Sequence, residues 1–358
     1  MTSYSMAQIA QATGLALEGD ETLEVTGLAE PAHAKPDQLA LAMHKDFAEA
    51  LGASAARAAI VWDGAEWKGM GLNAVLIAPR PRVALAHATA HFQHAPDTAP
   101  GVHPTAHIDP TADVGDGAAI GPFAVVGAGA RIGPGACIAA HASIGADAKI
   151  GSKALIHAGV RIGARCVIGD NFIAQPNAVI GADGFSFEPP ERGAVEAARQ
   201  DGSVSSQNAL GFLRIHSLAA VEIGDNVEIG AATTLDRGTI APTRIGSGTK
   251  IDNQVQIGHN VQIGGNCLLC AQVGIAGSCN IGDRVVLGGK VGIGDHVNVG
   301  SDVICAAATM VASNIPDRSI MMGMPATDRE RAIKQIMAVK RLPRMIEQVS
   351  EIRKKLGL

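Results

Sequence analysis

The chain has 358 residues, a formal net charge of −5, and only 3% aromatic residues against 43 glycines. That length accommodates two or three structural units, and an overall acidic balance argues against a nucleic-acid partner. No apolar run approaches the roughly 18 residues of a membrane span. The opening MTSYSMAQIA has neither the basic region nor the apolar core of a secretory signal, so a cytoplasmic setting with reduced cysteines is expected.

Residues 1–100 alternate short helical and strand-like stretches: SMAQIAQATG, LALAMHKDFAEALG, AAIVWD, NAVLIAP and VALAHATAHFQ. They predict a small separate α/β domain. His87 and His91 stand at i, i+4 in its last helix, with His94 close by. No third and fourth ligand is evident, so a solvated helix face is expected rather than a metal site.

Residues 101–325 carry a period of six. From Val102 to Ile180, thirteen of the fourteen positions reached by counting in sixes are Ile or Val. A small residue usually follows each, as in VGDGAAIGPFAV. The register resumes at Ile223, slips by four residues around Thr239 to Thr243, and locks again from Ile245 to Val311. One aliphatic side chain per short strand then points inward, and three hexapeptides close a triangular coil of 18 residues. Successive coils pair through parallel backbone hydrogen bonds about 4.8 Å apart. This is the hexapeptide β-helix class, whose sense is left-handed against the usual crossover preference. A chain so poor in rings must fill its core with such regularly placed aliphatics.

Residues 183–220, opening DGFSFEPP, interrupt the period and hold Phe185, Phe187 and Phe212. They predict a loop thrown out of one coil, and insertions of this kind tend to gather on a binding face. Cys267 and Cys270 form a lone CxxC; the second pair of a zinc site is missing. Cys166, Cys267 and Cys279 occupy the fifth hexapeptide position, where a small packing residue is wanted. Met310, near the last coils, is a candidate cap for an acyl groove, against ordinary packing.

Residues 326–358 form a helical tail that Pro343 is expected to break in two. Met345, Val349, Ile352 and Leu356 make an apolar seam suited to self-association. The stretch 327–358 carries nine Lys or Arg against four acids. It therefore reads either as a solvated helix face or as a docking patch for an acidic partner.

A β-helix has no cleft of its own, so chemistry must sit on its outer wall. His259 in KIDNQVQIGHNVQIG is third in its hexapeptide, which turns its ring outward. Asp252, seven residues earlier, is a candidate to orient the imidazole. One coil further on, at 18 residues, lies Gly277 in QVGIAGS, where a bare backbone leaves room for a carbonyl beside an amide N–H.

The ordered motifs GADGFSFE, IGDNVEIGAATTLDRGTI, KIDNQVQIGHNVQIG, CAQVGIAGS and GGKVGIGDHVNVG resemble those of the UDP-3-O-acylglucosamine N-acyltransferase family of lipid A biosynthesis. The resemblance extends over all three regions. It implies a homotrimer with ligands in grooves between subunits, His259 as catalytic base, Asp252 as its partner, Gly277 as oxyanion donor and His296 as a second functional histidine. The family grips uridine through an aromatic, an Asn and an aromatic spaced by three. Those positions are Leu41, His44 and Phe47, so one ring is retained. Asn253, Phe185 and Phe187 complete the expected substrate-binding set. The resemblance also implies an acyl-carrier-protein donor bearing phosphopantetheine, a UDP-sugar acceptor, and no metal or redox cofactor. The sister O-acyltransferase acting on UDP-N-acetylglucosamine begins almost directly with its repeats, so the leading domain argues against it. An acetyl-CoA-dependent sugar N-acetyltransferase and a non-catalytic hexapeptide scaffold or metal binder are the remaining alternatives.

Overall fold

A computed structural model describes residues 2–94, 96–190, 200, 202, 211–323 and 326–357. The chain divides into two compact units, Met1–Pro96 and Asp97–Leu358.

In the first unit, the helix Met6–Thr13 opens on a capping box in which the Gln8 amide donates to Ser5 Oγ and the Ser5 amide to Gln8 Oε1. It stops where Gly14 turns left-handed and its N–H reaches the Ala10 carbonyl. Among the described residues the main sheet has five strands, in the order Ala16–Gly19, Ala74–Ala78, Ala58–Trp62, Leu39–Ala42, Leu28–Ala29. The first strand is antiparallel to its neighbour and the rest are parallel. The runs AAIVW and AVLIA are almost wholly apolar because such strands are covered on both faces. In the closing helix Pro81–His91, His91 does not stay on a solvated face. Its ring packs 4.4 Å from that of Tyr4 and 5.4 Å from that of Phe92, so neighbouring rings rather than water cover it. His87 remains exposed, with Nδ1 2.9 Å from the Thr13 carbonyl.

The second unit is the solenoid. Parallel pairs such as Val126↔Ile144 and Ile144↔Ile162 lie 18 residues apart, and the inward Ile and Val are buried from Ile120 onward, with Ile108 and Val114 partly buried and Val102 exposed at the open first coil. The described strands form three sheets of eleven, ten and nine members. The chain visits them in that order and turns a corner after each. Burying an Ile contributes about 1.5–3 kcal/mol, which recurs three times per coil and offsets the cost of ordering so much short strand. At the corners many non-glycine residues take a left-handed backbone, Asn260 and His296 among them at φ 62° and 58°. Asn tolerates this region better than most residues.

Two irregularities break the column. The segment after Gly181 leaves it as an antiparallel ribbon, Phe187–Glu188 against Leu213–Arg214; residues 191–199, 201 and 203–210 of the expected loop lie outside the described residues. The following coil is overlong: Leu235 pairs with Ile257, 22 residues on. The excess lies at the corner after Asp236, where the period slips in the sequence.

Cys166, Cys267, Cys279 and Cys305 face the core, and burial pushes each thiol up from its ordinary value. Pro343 does not break the tail. Arg329–Lys355 is one helix with the proline inside it, opened by Asp328, whose carboxylate accepts from the Glu330 and Arg331 amides. A proline in a helix interior costs about 3 kcal/mol, and here the turns on both sides carry the helix through it. Its apolar seam, including Met345, Val349, Ile352 and Leu356, is exposed. No described helix is long and apolar enough to cross a membrane.

Candidate active site

His259 follows the strand Gln256–Ile257 at the corner between the ten-stranded and nine-stranded sheets. Because Ile257 fills the interior, the ring two residues on hangs outside the column, half-buried. Two glycines make room for it. A Cβ on Gly277, one coil further, would stand 2.8 Å from both Cε1 and Nε2, and a Cβ on Gly184 would stand 2.7 Å from His259 Cβ. The Ser278 amide donates to the His259 carbonyl at 2.9 Å and the His296 amide to the Gly277 carbonyl at 3.1 Å. Three of the expected residues, His259, Gly277 and His296, therefore share one corner on consecutive coils. The Gly277 N–H has no acceptor among the described residues. His296 is exposed, with Nδ1 2.9 Å from Asp295 Oδ2.

Asp252 and Asn253 lie at the preceding corner, between the eleven-stranded and ten-stranded sheets. They line a recess there with Gln175, Glu228, Lys250 and Cys270. The Asp252 carboxylate accepts from the Asn253 amide at 2.7 Å, and Asn253 Oδ1 accepts from the Ala231 amide at 2.6 Å. Within one chain the neighbour of the imidazole is instead Asn260, whose Oδ1 is 3.1 Å from His259 Nδ1. A second group facing the ring is the carboxyl of Asp236, only 8% exposed at the end of the strand Thr234–Asp236. Burial raises its pKa above the usual carboxylate range, opposed by a hydrogen bond with Gln256 and by the charge of His259.

The base of the ribbon closes one side of the site. Gly184 donates to Ser217 Oγ at 3.0 Å, and Asp183 pairs with Arg214 at 3.0 Å. Phe185, 86% exposed, meets Phe187 edge-on at 5.1 Å, and the Arg214 guanidinium lies 5.4 Å over the Phe187 ring. Outward along the ten-stranded sheet, Gln256, Gly274, Gly292 and Met310 stand in register. Two successive glycines bare the backbone there: nothing stands over Gly274, and the Met310 thioether folds back over Gly292, closing the far end of the trough.

In the first unit, Leu41 is half-buried and packs on that unit's core. His44, beside Asp46 at 3.0 Å, and Phe47, 44% exposed, lie just past the carboxyl end of the strand Leu39–Ala42. Ligands gather at that edge of parallel sheets.

The signals for Asn260, Asp236 and Gly184 were faint in sequence. Asn at a left-handed corner and Gly beside an insertion are both ordinary. The one available clue was the four-residue slip at Thr239 to Thr243, one coil before His259.

The family model described as UDP-3-O-(3-hydroxymyristoyl) glucosamine N-acyltransferase matches residues 22–91, and the bacterial transferase hexapeptide model matches 242–277. The chain is 54% identical to the UDP-3-O-acylglucosamine N-acyltransferase of Ruegeria pomeroyi, over 98% of this chain and 97% of that protein. It is 42% identical to the protein of the same name from Granulibacter bethesdensis, over 95% and 94%. An Arabidopsis UDP-N-acetylglucosamine acyltransferase structure superposes with a TM-score of 0.52 at 20% identity, covering 62% of this chain and 71% of that one. That likeness shows the fold alone, the left-handed parallel β-helix. With relatives this similar over nearly its full length, the chain belongs to the UDP-3-O-acylglucosamine N-acyltransferases, an enzyme family.

Proposed function

We propose that the chain moves a 3-hydroxyacyl group from the thioester of an acyl carrier protein to the 2-amino group of a UDP-glucosamine already acylated at O3, in the cytoplasm, as a homotrimer. The observation that carries this reading is the outward imidazole of His259 with its Nε2 edge lying over Gly277, where a side chain would otherwise stand. His259 takes the proton from the attacking nitrogen as the C–N bond forms. The oxyanion that develops on the thioester carbonyl is received by the Gly277 N–H, and its collapse expels the carrier's thiolate. General-base help of this kind is typically worth about 10²–10⁴ in rate, and one oxyanion donor about 10²–10³.

The acyl chain lies in the trough over Gly274 and Gly292, with Met310 at its end. Phe185 and Phe187 flank the acceptor side. His44 and Phe47 hold the uridine, with Leu41 beneath them. His296 contacts the phosphopantetheine or a phosphate of the substrate. Asp252 and Asn253, a corner away from their own His259, serve a site of the adjoining protomer. The basic tail receives the acidic carrier protein. The supporting observations are the family membership, the leading domain matched by the family model, and the single corner shared by His259, Gly277 and His296. The test is His259→Ala assayed with hydroxyacyl carrier protein and the product identified by mass spectrometry. Turnover is expected to fall by about 10²–10⁴; near-normal turnover would remove His259 as the base.

A further inference from the structure

The overlong coil and His259 meet in one side chain, that of Asn260. Its Oδ1 accepts from the Thr239 amide at 3.1 Å, and its Nδ2 donates to the Ala241 carbonyl at 2.9 Å. Both partners belong to the four-residue excess, and the main chain of Asn260 is tied to the same turn, its amide donating to Thr243 Oγ1 at 2.9 Å. This fixes which way round the amide sits. Flipped, it would set an NH₂ against the Thr239 N–H and a carbonyl oxygen against the Ala241 oxygen, losing both bonds and adding two repulsions.

The second lone pair of that Oδ1 points at His259 Nδ1, 3.1 Å away. An oxygen whose orientation the backbone dictates has only acceptor capacity to offer, so Nδ1 must carry the hydrogen. The neutral ring then bears its lone pair on Nε2, the atom beside Gly277. The opposite tautomer would place two lone pairs face to face and leave the reactive edge with a proton it is meant to receive.

We infer that Asn260 is the positioning residue that sets the tautomer of His259, and that the overlong coil exists at this corner to hold Asn260 in place. The inference rests on His259 being the base. No carboxylate is needed at Nδ1 for this purpose. The charged group that senses the ring, Asp236, is not hydrogen-bonded to Nδ1.

The experiment compares Asn260→Ala with Asn260→Asp in the full-length protein. Asn260→Asp loses the donor to Ala241 but keeps an acceptor for both the Thr239 amide and Nδ1, whereas Asn260→Ala loses all three contacts, so the pH profile, which a loosened turn would not move, is read beside kcat. Asn260→Ala is expected to lower kcat by about 10²–10⁴ with KM little changed, the range in which removing or mis-setting a general base falls. Asn260→Asp is expected to retain activity within about tenfold, and to move the acid limb of its kcat/KM profile to higher pH, since an adjacent carboxylate favours the protonated ring. Equal losses in the two variants, or an Asn260→Ala enzyme within twofold of wild type, would overturn the assignment. If His259→Ala is itself active, the base reading fails first; if it is inactive while Asn260→Ala is normal, only the role of Asn260 fails.

Discussion

Gly184 and Gly277 hold the ring of His259 between them, one from the root of the ribbon and one from the next coil. Neither has a side chain to spare, because a methyl on either would press on His259 at under 3 Å. Gly184→Ala meets the Cβ of His259, an atom fixed to the backbone, so the ribbon root must retreat. A misplacement near 1 Å costs about 10²-fold in rate. Gly184→Ala is accordingly expected to lower kcat by about 10–100-fold while uridine affinity, measured by titration with UDP, stays unchanged. A variant with wild-type kcat would show that the ring does not depend on this wall.

Asp236 predicts a pH dependence. Its folded pKa is raised chiefly by burial, so the folded state holds this proton more tightly than the unfolded state does. The stability it contributes is complete below the unfolded value of about 3.9 and is lost as pH rises through the folded value. Asp236→Asn keeps an oxygen for Gln256 and removes the ionised form. Thermal denaturation should therefore find the variant more stable than wild type at pH 7, with the difference closing as pH falls towards about 4. A gain independent of pH would point to packing instead.

The trough along the ten-stranded sheet predicts chain-length selection. Met310→Ala opens its far end, and the preferred acyl group should lengthen when donors compete and products are weighed by mass spectrometry. Gly292→Val, placed within the trough, should shorten it. Unchanged product spectra for both variants would mean the acyl chain runs elsewhere.

The thiols predict a modification pattern. Cys137 and Cys270 are half-exposed and the other four cysteines buried, and the buried thiols are held protonated by their surroundings. A thiol reagent should label no more than two sites in native protein and all six after denaturation. Rapid native labelling of Cys267 or Cys279 would contradict the packing described.

The basic tail predicts a salt-sensitive donor interaction. Charge reversal at Arg353, Lys354 and Lys355, which end the exposed helix, should raise KM for a carrier-protein donor several-fold and flatten its dependence on ionic strength. KM for the nucleotide sugar should stay fixed. A uniform loss for both substrates would indicate a structural role.

The solenoid was legible in sequence because its rule is one-dimensional: inward Ile and Val recur every six residues, and the pairs 18 apart follow from counting. His259 and Gly277 came out of the same counting, while His296 entered only through the family resemblance. The surroundings of the imidazole did not, because Gly184 lies 75 positions away and reaches the ring only through the ribbon, while Asn260 takes its meaning from a turn that breaks the count. Asp252 looked suitable by spacing, yet seven residues span a whole side of the triangle and carry it round to another corner. Pro343 misled for a different reason, since local chemistry weakens a helix there without deciding whether the flanking turns continue.

A staircase of near-identical steps has no natural origin: sliding one flight against the next by a single turn still matches Ile to Ile. The overlong step between Leu235 and Ile257 removes that freedom. Any slip during folding would set four surplus residues opposite a flight with nowhere to house them, so the correct alignment is the only one that closes. The same notch that anchors Asn260 therefore also keeps the flights in step.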